Sequence, residues 1–199
     1  MNQNRPTKTH QKGLTLLEAL VSIGLLMAAL ALVGALARSG QQQNSINQAL
    51  NLLASIDATV RTHYGVRESY TGLNTSTAVQ LGAIPAAMAR ETLPGNWAAA
   101  HAWGGELFVG ANSWDGVAVV ADAGFFIQFN GLPREACISL ILQAGTNYRG
   151  VAVGQGTGSG PTLSGITRRV TAEGTQLNIA TVTGWCTSAQ ANTVRFETL

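Results

Sequence analysis

The feature that most constrains this chain is the run at 14–37. It is apolar throughout except for Thr15, Glu18 and Ser22. At 1.5 Å per helical residue such a run reaches about 36 Å, enough to cross a bilayer. Arg38 ends it, and no proline occurs between Pro6 and Pro85, so one helix is free to continue beyond it. Ahead of it lie thirteen mostly polar residues with Arg5, Lys8 and Lys12 and no acid. A basic cluster before an apolar span marks the end that stays in the cytoplasm.

The charge balance follows from this division. The chain carries 12 basic and 10 acidic side chains. Three of the basic ones precede Gly13, so residues 14–199 hold 9 basic against 10 acidic, a formal charge of −1. The basic pI belongs to the leading segment, and no basic stripe for nucleic acid is present. Only 11% of residues are charged, well under the usual share, while 23 are glycine. The glycine content suggests a loop-rich outer domain, and the low charge means that something else keeps the chain soluble or that it is not free in solution.

Beyond Arg38 the pattern becomes amphipathic. Ile46, Leu50, Leu53, Ile56 and Val60 recur at spacings of three and four, with Gln, Asn, Ser and Asp57 on the other face. That periodicity predicts a helix to about His63 that lays its stripe on a globular domain. Together the two parts give a helix of about 50 residues, roughly 75 Å long. The expected organisation is a leader at 1–13, an apolar helix at 14–37, an amphipathic continuation at 38–64 and a globular head at 65–199.

Within the head, 65–75 reads as a turn-rich link and 77–81 as a short helix. Residues 85–105 read as irregular. Runs at 106–109, 117–121 and 125–129 have strand character. Pro133 opens a helix to Gln143, with Glu135 in its first turn. Residues 155–161 form a Gly/Ser/Thr loop, and 177–182 and 194–196 read as late strands. The order predicts an α+β fold, a long helix packed on an antiparallel sheet.

The six residues Gly13-Leu14-Thr15-Leu16-Leu17-Glu18 carry the most chemistry. Glycine at a polar–apolar junction gives a protease access to the backbone without a Cβ in the way. A carboxylate inside a membrane span costs a few kcal/mol and calls for a counter-charge. Cleavage after Gly13 creates an α-amine at Leu14, one helical turn before Glu18. Each charge then matches its opposite on a neighbouring helix. Two other readings compete. One is a secretory signal cut at Ala35-Leu36-Ala37, but the apolar run far exceeds the usual 7–15 residues. The other is a plain single-pass anchor, which leaves Glu18 and the Gly13 junction without a role.

Cys137 and Cys186 are the two cysteines. In an exported domain they predict one disulfide, worth roughly 4 kcal/mol on the chain-entropy model. Two buried free thiols or a metal site are the alternatives. His10, His63 and His101 form no ligand-spaced cluster with them.

Several features invite less. The run 154–160 is glycine-rich but lacks the Lys-Ser/Thr of a phosphate loop. Glu106, Asp115, Asp122 and Glu135 suggest no acid–base pair, so an enzyme is not expected. Trp97, Trp103, Trp114 and Trp185 suit a carbohydrate-binding face, though core packing is the commoner role. Gly24 and Gly34 fit close helix packing or plain tolerance in a membrane.

The junction motif with its uninterrupted apolar helix resembles the class III signal of type IV prepilins. The thirteen-residue leader and Leu14 at the junction resemble the type IVb subgroup. The run from Gly131 to Ile141 around Cys137, and Gly184-Trp185-Cys186, resemble the cysteine-bearing segments of the PilS-type pilins of enteric thin pili. This resemblance implies the pilin fold, cleavage by a prepilin peptidase between Gly13 and Leu14, and an amine at Leu14 open to methylation. Glu18 then engages the first residue of an adjacent subunit, and Cys137 and Cys186 bridge an edge of the head. The implied partners are other copies of the chain, the peptidase, the pilus assembly machinery and the inner membrane before assembly. No cofactor, metal or nucleic acid is implied. The implied destination is an extracellular pilus serving adhesion, aggregation or mating contact.

Lys8 and Lys12 are the only lysines, which argues against a fibre joined by lysine isopeptide bonds. A minor pilin or a secretion pseudopilin shares the motif. The cysteine pair leans away from a pseudopilin, which usually places calcium there. A membrane-anchored binding protein that never polymerises is the remaining alternative.

Overall fold

The computed structural model describes residues 16–65, 69–112, 122–156, 164–170 and 177–198, with 33–39 and 164–170 described by backbone alone. The chain divides into two compact units, Met1–Gln41 and Gln42–Leu199.

The first helix, α1 (Leu16–Tyr64), is 49 residues long and continuous across that division. Within the second unit its stripe is Ile46, Ala49, Leu52, Leu53, Ile56, Val60 and Tyr64, all buried. Leu50 only leans on this core. The predicted periodicity therefore holds, with the face rotated slightly so that Ala49 and Leu52 replace Leu50.

Among the described residues, the rest of the second unit is a seven-stranded sheet with three short α-helices. In chain order these are α2 (Thr75–Gln80), β1 (Ala89–Leu93), β2 (Asn96–Ala100), β3 (Glu106–Asn112), β4 (Gly124–Leu132), α3 (Arg134–Ala144), β5 (Gly150–Gln155), β6 (Ser164–Val170), α4 (Ile179–Trp185) and β7 (Asn192–Thr198). The strand order is β1-β2-β3-β4-β7-β5-β6, antiparallel at every pairing. The last strand is therefore central, inserted between β4 and β5. Mixed helix and antiparallel sheet is the architecture expected from the sequence.

Alternation along the strands sends Phe125, Ile127 and Phe129 of β4, Val194 and Phe196 of β7, and Val151 and Val153 of β5 into one core. That core is shared with the α1 stripe, α3 and α4. Aromatic contacts tie it together. The rings of Phe129 and Phe196 meet edge to face at 6.4 Å, and Tyr148 reaches Phe196 at 5.1 Å. The opposite face of β4 and β7 is polar apart from Phe126. The Arg195 guanidinium lies 4.2 Å from the Phe126 ring centre, and its Nε donates to Gln128 Oε1 at 2.8 Å. Gln128 passes a bond on to Asn130 Oδ1.

Two expectations need correction. Residues 177–182 do not form a strand: α4 starts at Ile179, capped by Asn178, whose Oδ1 accepts from the Thr181 N–H at 2.8 Å. The β-branched residues there favour a strand locally, and the cap decides otherwise. Residues 85–105 are not irregular. They hold the β1–β2 hairpin, turned at Pro94-Gly95, where Gly95 takes φ +82°. β1 is polar and mostly exposed and β2 is alanine-rich, so no hydrophobic alternation advertises them. The glycine-rich β5 and its partner β6 likewise carry little strand signal. The strand expected at 117–121 lies outside the described residues.

Candidate assembly helix and disulfide-bounded edge

The first unit contributes the start of α1. Glu18 stands in its first turn, where a carboxylate complements the positive end of the helix dipole. The Ser22 hydroxyl donates to the Glu18 carbonyl oxygen at 2.7 Å, so the other polar residue among the described residues 16–32 turns its hydroxyl onto the backbone. From Leu16 to Leu32 every side chain is exposed, including Leu16, Leu17, Leu20, Leu25, Leu26 and Leu30. Among the described residues no helix is long and apolar enough to cross a membrane. Gly13 and Leu14, the expected processing residues, lie outside the described residues.

The second unit contributes an edge built around the cysteines. Pro133 caps α3, and Cys137 occupies its first turn, with its N–H donating to the Pro133 carbonyl at 3.0 Å. Cys186 ends α4. The two are joined in a disulfide with Cα atoms 6.0 Å apart, both fully buried. The free-thiol and metal-site alternatives therefore fall away for this pair.

The loop that follows Cys186 is held by Asn192, a residue that sequence reasoning missed. Its Nδ2 donates to the Leu132 carbonyl (3.1 Å) and the Ser188 carbonyl (2.6 Å), and its Oδ1 accepts from the Ser188 N–H (3.0 Å). The Arg134 N–H donates to the Ala189 carbonyl at 3.2 Å. One fully buried carboxamide thus ties the loop to the end of β4 and the start of α3. Nothing in the sequence marks this Asn apart from its place at the head of a strand.

His101, known from the sequence only as an unclustered histidine, holds the β2–β3 turn. The Trp103 N–H donates to its Nδ1 at 3.3 Å, so the ring proton sits on Nε2 and is donated to the Asn130 carbonyl at 2.7 Å. Burial holds the imidazole below its ordinary value, partly offset by the bond to Asn130. The backbone packs tightly here: a Cβ at Gly105 would lie 1.9 Å from the Asn130 oxygen.

The other singled-out residues scatter. Trp103 and Trp185 pack against the core, Trp97 sits half-buried on β2, and Trp114 and Asp115 lie outside the described residues. Asp122 takes φ +58° and accepts from the Thr71 hydroxyl at 2.9 Å. Glu106 begins β3 and Glu135 lies in the first turn of α3, so these carboxylates belong to separate elements.

A family model described as PilS N terminal matches residues 41–199. No curated protein matches the chain in sequence. The fold is similar to that of TcpA, a type IV pilin from Vibrio cholerae El Tor biotype. There the TM-score is 0.53 at 17% identity, over 78% of this chain and 99% of that one. It is similar also to the type IVb pilin from Salmonella typhi, with a TM-score of 0.54 at 18% identity over 75% and 97%. At these identities the likeness is one of fold.

Proposed function

The chain belongs to the PilS family and has a type IV pilin fold, and on that premise we propose that it is the major subunit of a type IVb pilus. The observation that carries this reading is the composition of α1. Its described apolar part is exposed from Leu16 to Leu32, while its continuation from Ile46 to Tyr64 enters the core of the head. Exposed leucines along a helix require a cover, either lipid or other copies of the same helix.

In this reading a prepilin peptidase removes residues 1–13. The segment 14–37 then rests in the inner membrane, and the assembly machinery draws subunits into a filament whose interior is made of these helices. The continuation at 38–64 joins the helix to the head at 65–199. The Glu18 carboxylate meets the Leu14 amine of a neighbour, offsetting two charges that are costly in lipid. The family match begins at Gln41, so this pairing is supported by residue spacing and by the place of Glu18 in the first turn. The filament serves contact: adhesion, aggregation or mating.

Mass spectrometry of sheared filaments tests the proposal. The expected result is a chain that begins at Leu14 and dominates the preparation. An intact N-terminus, or one at Arg38, overturns the processing. A trace amount of this chain in filaments made of another overturns the role of major subunit.

A further inference from the structure

Beside the disulfide edge the head has a surface cavity of about 710 Å³, within the range that holds small ligands. Two of the devices described above shape it. The turn held by His101 supplies Trp103, Gly104, Gly105 and Glu106. The loop held by Asn192 supplies Gln190, opposite Gly131 and Pro133. The cavity therefore sits between two tied-down turns, and its walls are preorganised.

The chemistry of those walls is selective. Trp103 is half-buried: it packs on the core yet also lines the cavity. Gln190 is exposed and offers both a donor and an acceptor. Glu106 Oε2 is shielded from solvent and has no hydrogen-bond partner among the described residues. A buried carboxylate oxygen without a donor costs free energy. The terminal torsion of Glu is broad, so this oxygen is able to turn toward a donor in the cavity. The three glycines leave backbone bare, and two of them, Gly104 at φ +78° and Gly131 at φ +71°, hold conformations that L side chains rarely adopt.

An indole, a carboxylate in need of a donor and a carboxamide together match a ligand with a C–H face and several hydroxyls. The carboxylate disfavours anions. Among the described residues, the wall has no aliphatic side chain larger than proline to seat an apolar peptide residue. One carboxylate and one carboxamide fall short of the six to eight oxygens that calcium takes. We propose that this cavity is a subsite for a neutral hexose at the end of a glycan, with Trp103 under the ring and Glu106 and Gln190 on its hydroxyls. The site belongs to the head and does not depend on the assembly role of α1.

The test uses the full chain, labelled with nitrogen-15, in phosphocholine micelles, whose headgroup carries no sugar. The probes are the methyl glycosides of glucose, galactose, mannose and N-acetylglucosamine, added one at a time. At least one should shift the Trp103 indole N–H and the Gln190 side-chain amide saturably, with a Kd of about a millimolar. Glu106→Gln keeps the shape, removes the charge and should weaken binding about tenfold. If that variant loses the dispersed spectrum of the folded head, Gln190→Ala, on the exposed bend, must show the weakening instead. No saturable shift with any of the four glycosides, equal affinity in the variant that folds, or the same shifts produced by calcium chloride alone overturns the proposal. Because the unassembled chain is used, either result leaves the filament question separate.

Discussion

Cys137, in the first turn of α3, is bonded to Cys186, the residue that ends α4, and six positions later Asn192 opens the central strand β7. The bond therefore fixes the chain just before it threads between β4 and β5. Its two ends also lie on either side of β5 and β6, which form one flank of the sheet. Replacing both cysteines, 49 positions apart, by alanine opens the loop between them in the unfolded chain. The head should lose about 4 kcal/mol of stability, measured by denaturant unfolding of the full chain in micelles. A loss below about 1 kcal/mol would show that the bond adds little beyond the packing around it.

Asn192→Ala tests the second tie on the same edge. The substitution leaves the Leu132 carbonyl and both backbone groups of Ser188 without their partner. Stranded polar groups cost about 1–3 kcal/mol each, softened where the loop opens to water. The expected loss is roughly 2–4 kcal/mol, with increased amide exchange at 187–191. A loss confined to β7, with an unchanged loop, would contradict the assignment of Asn192 as its anchor.

His101 gives the head a pH dependence whose sign follows from its bonds. The buried ring accepts from the Trp103 N–H, so a proton on Nδ1 would face another proton. Its folded pKa lies below the ordinary value of about 6.5. In the window between the two, the unfolded chain binds the proton and the folded chain does not, so stability falls as pH falls. The contribution is full above about pH 6.5 and is lost as pH drops toward the folded value. His101→Gln keeps one donor and one acceptor without a charge. Its unfolding midpoint, compared with the parent's between about pH 7 and 5, should change less. Parallel curves would show that other groups set the dependence.

How much of this was legible beforehand depended on whether the deciding interactions were local. The α1 stripe was readable because Ile46, Leu53, Ile56 and Val60 repeat at the helical period, and the helix keeps that period against the core. β4 was readable because Phe125, Ile127 and Phe129 alternate. α4 was misread because its apolar residues fit a strand until the Asn178 cap is seen. β1 and β2 were missed because β1 is polar and exposed and β2 is largely alanine, so neither shows hydrophobic alternation. His101 and Asn192 gave no signal at all. Their partners, Asn130 and Leu132, lie 29 and 60 residues away. The pairing of Cys137 with Cys186 was legible because there was no other choice.

Glu18 carries the last prediction, and two substitutions separate its possible contributions. If the carboxylate matters only as a membrane liability, Glu18→Ala relieves a cost of a few kcal/mol and assembly should be at least as efficient. If it pairs with the amine of a neighbour, the same change leaves that amine without its counter-charge in an apolar surrounding. Peptidase cleavage should then continue while filament yield falls by more than about tenfold, the equivalent of roughly 1.4 kcal/mol per added subunit. Glu18→Gln decides between charge and shape, since it fills nearly the same volume without the charge. Pairing predicts that it fails as Glu18→Ala does; a packing role predicts that it assembles normally. The readout is the ratio of sheared filament to processed chain in the membrane fraction. Normal filaments from both variants would remove the pairing from the account of assembly and leave the exposed leucines of α1 as its sole driving force.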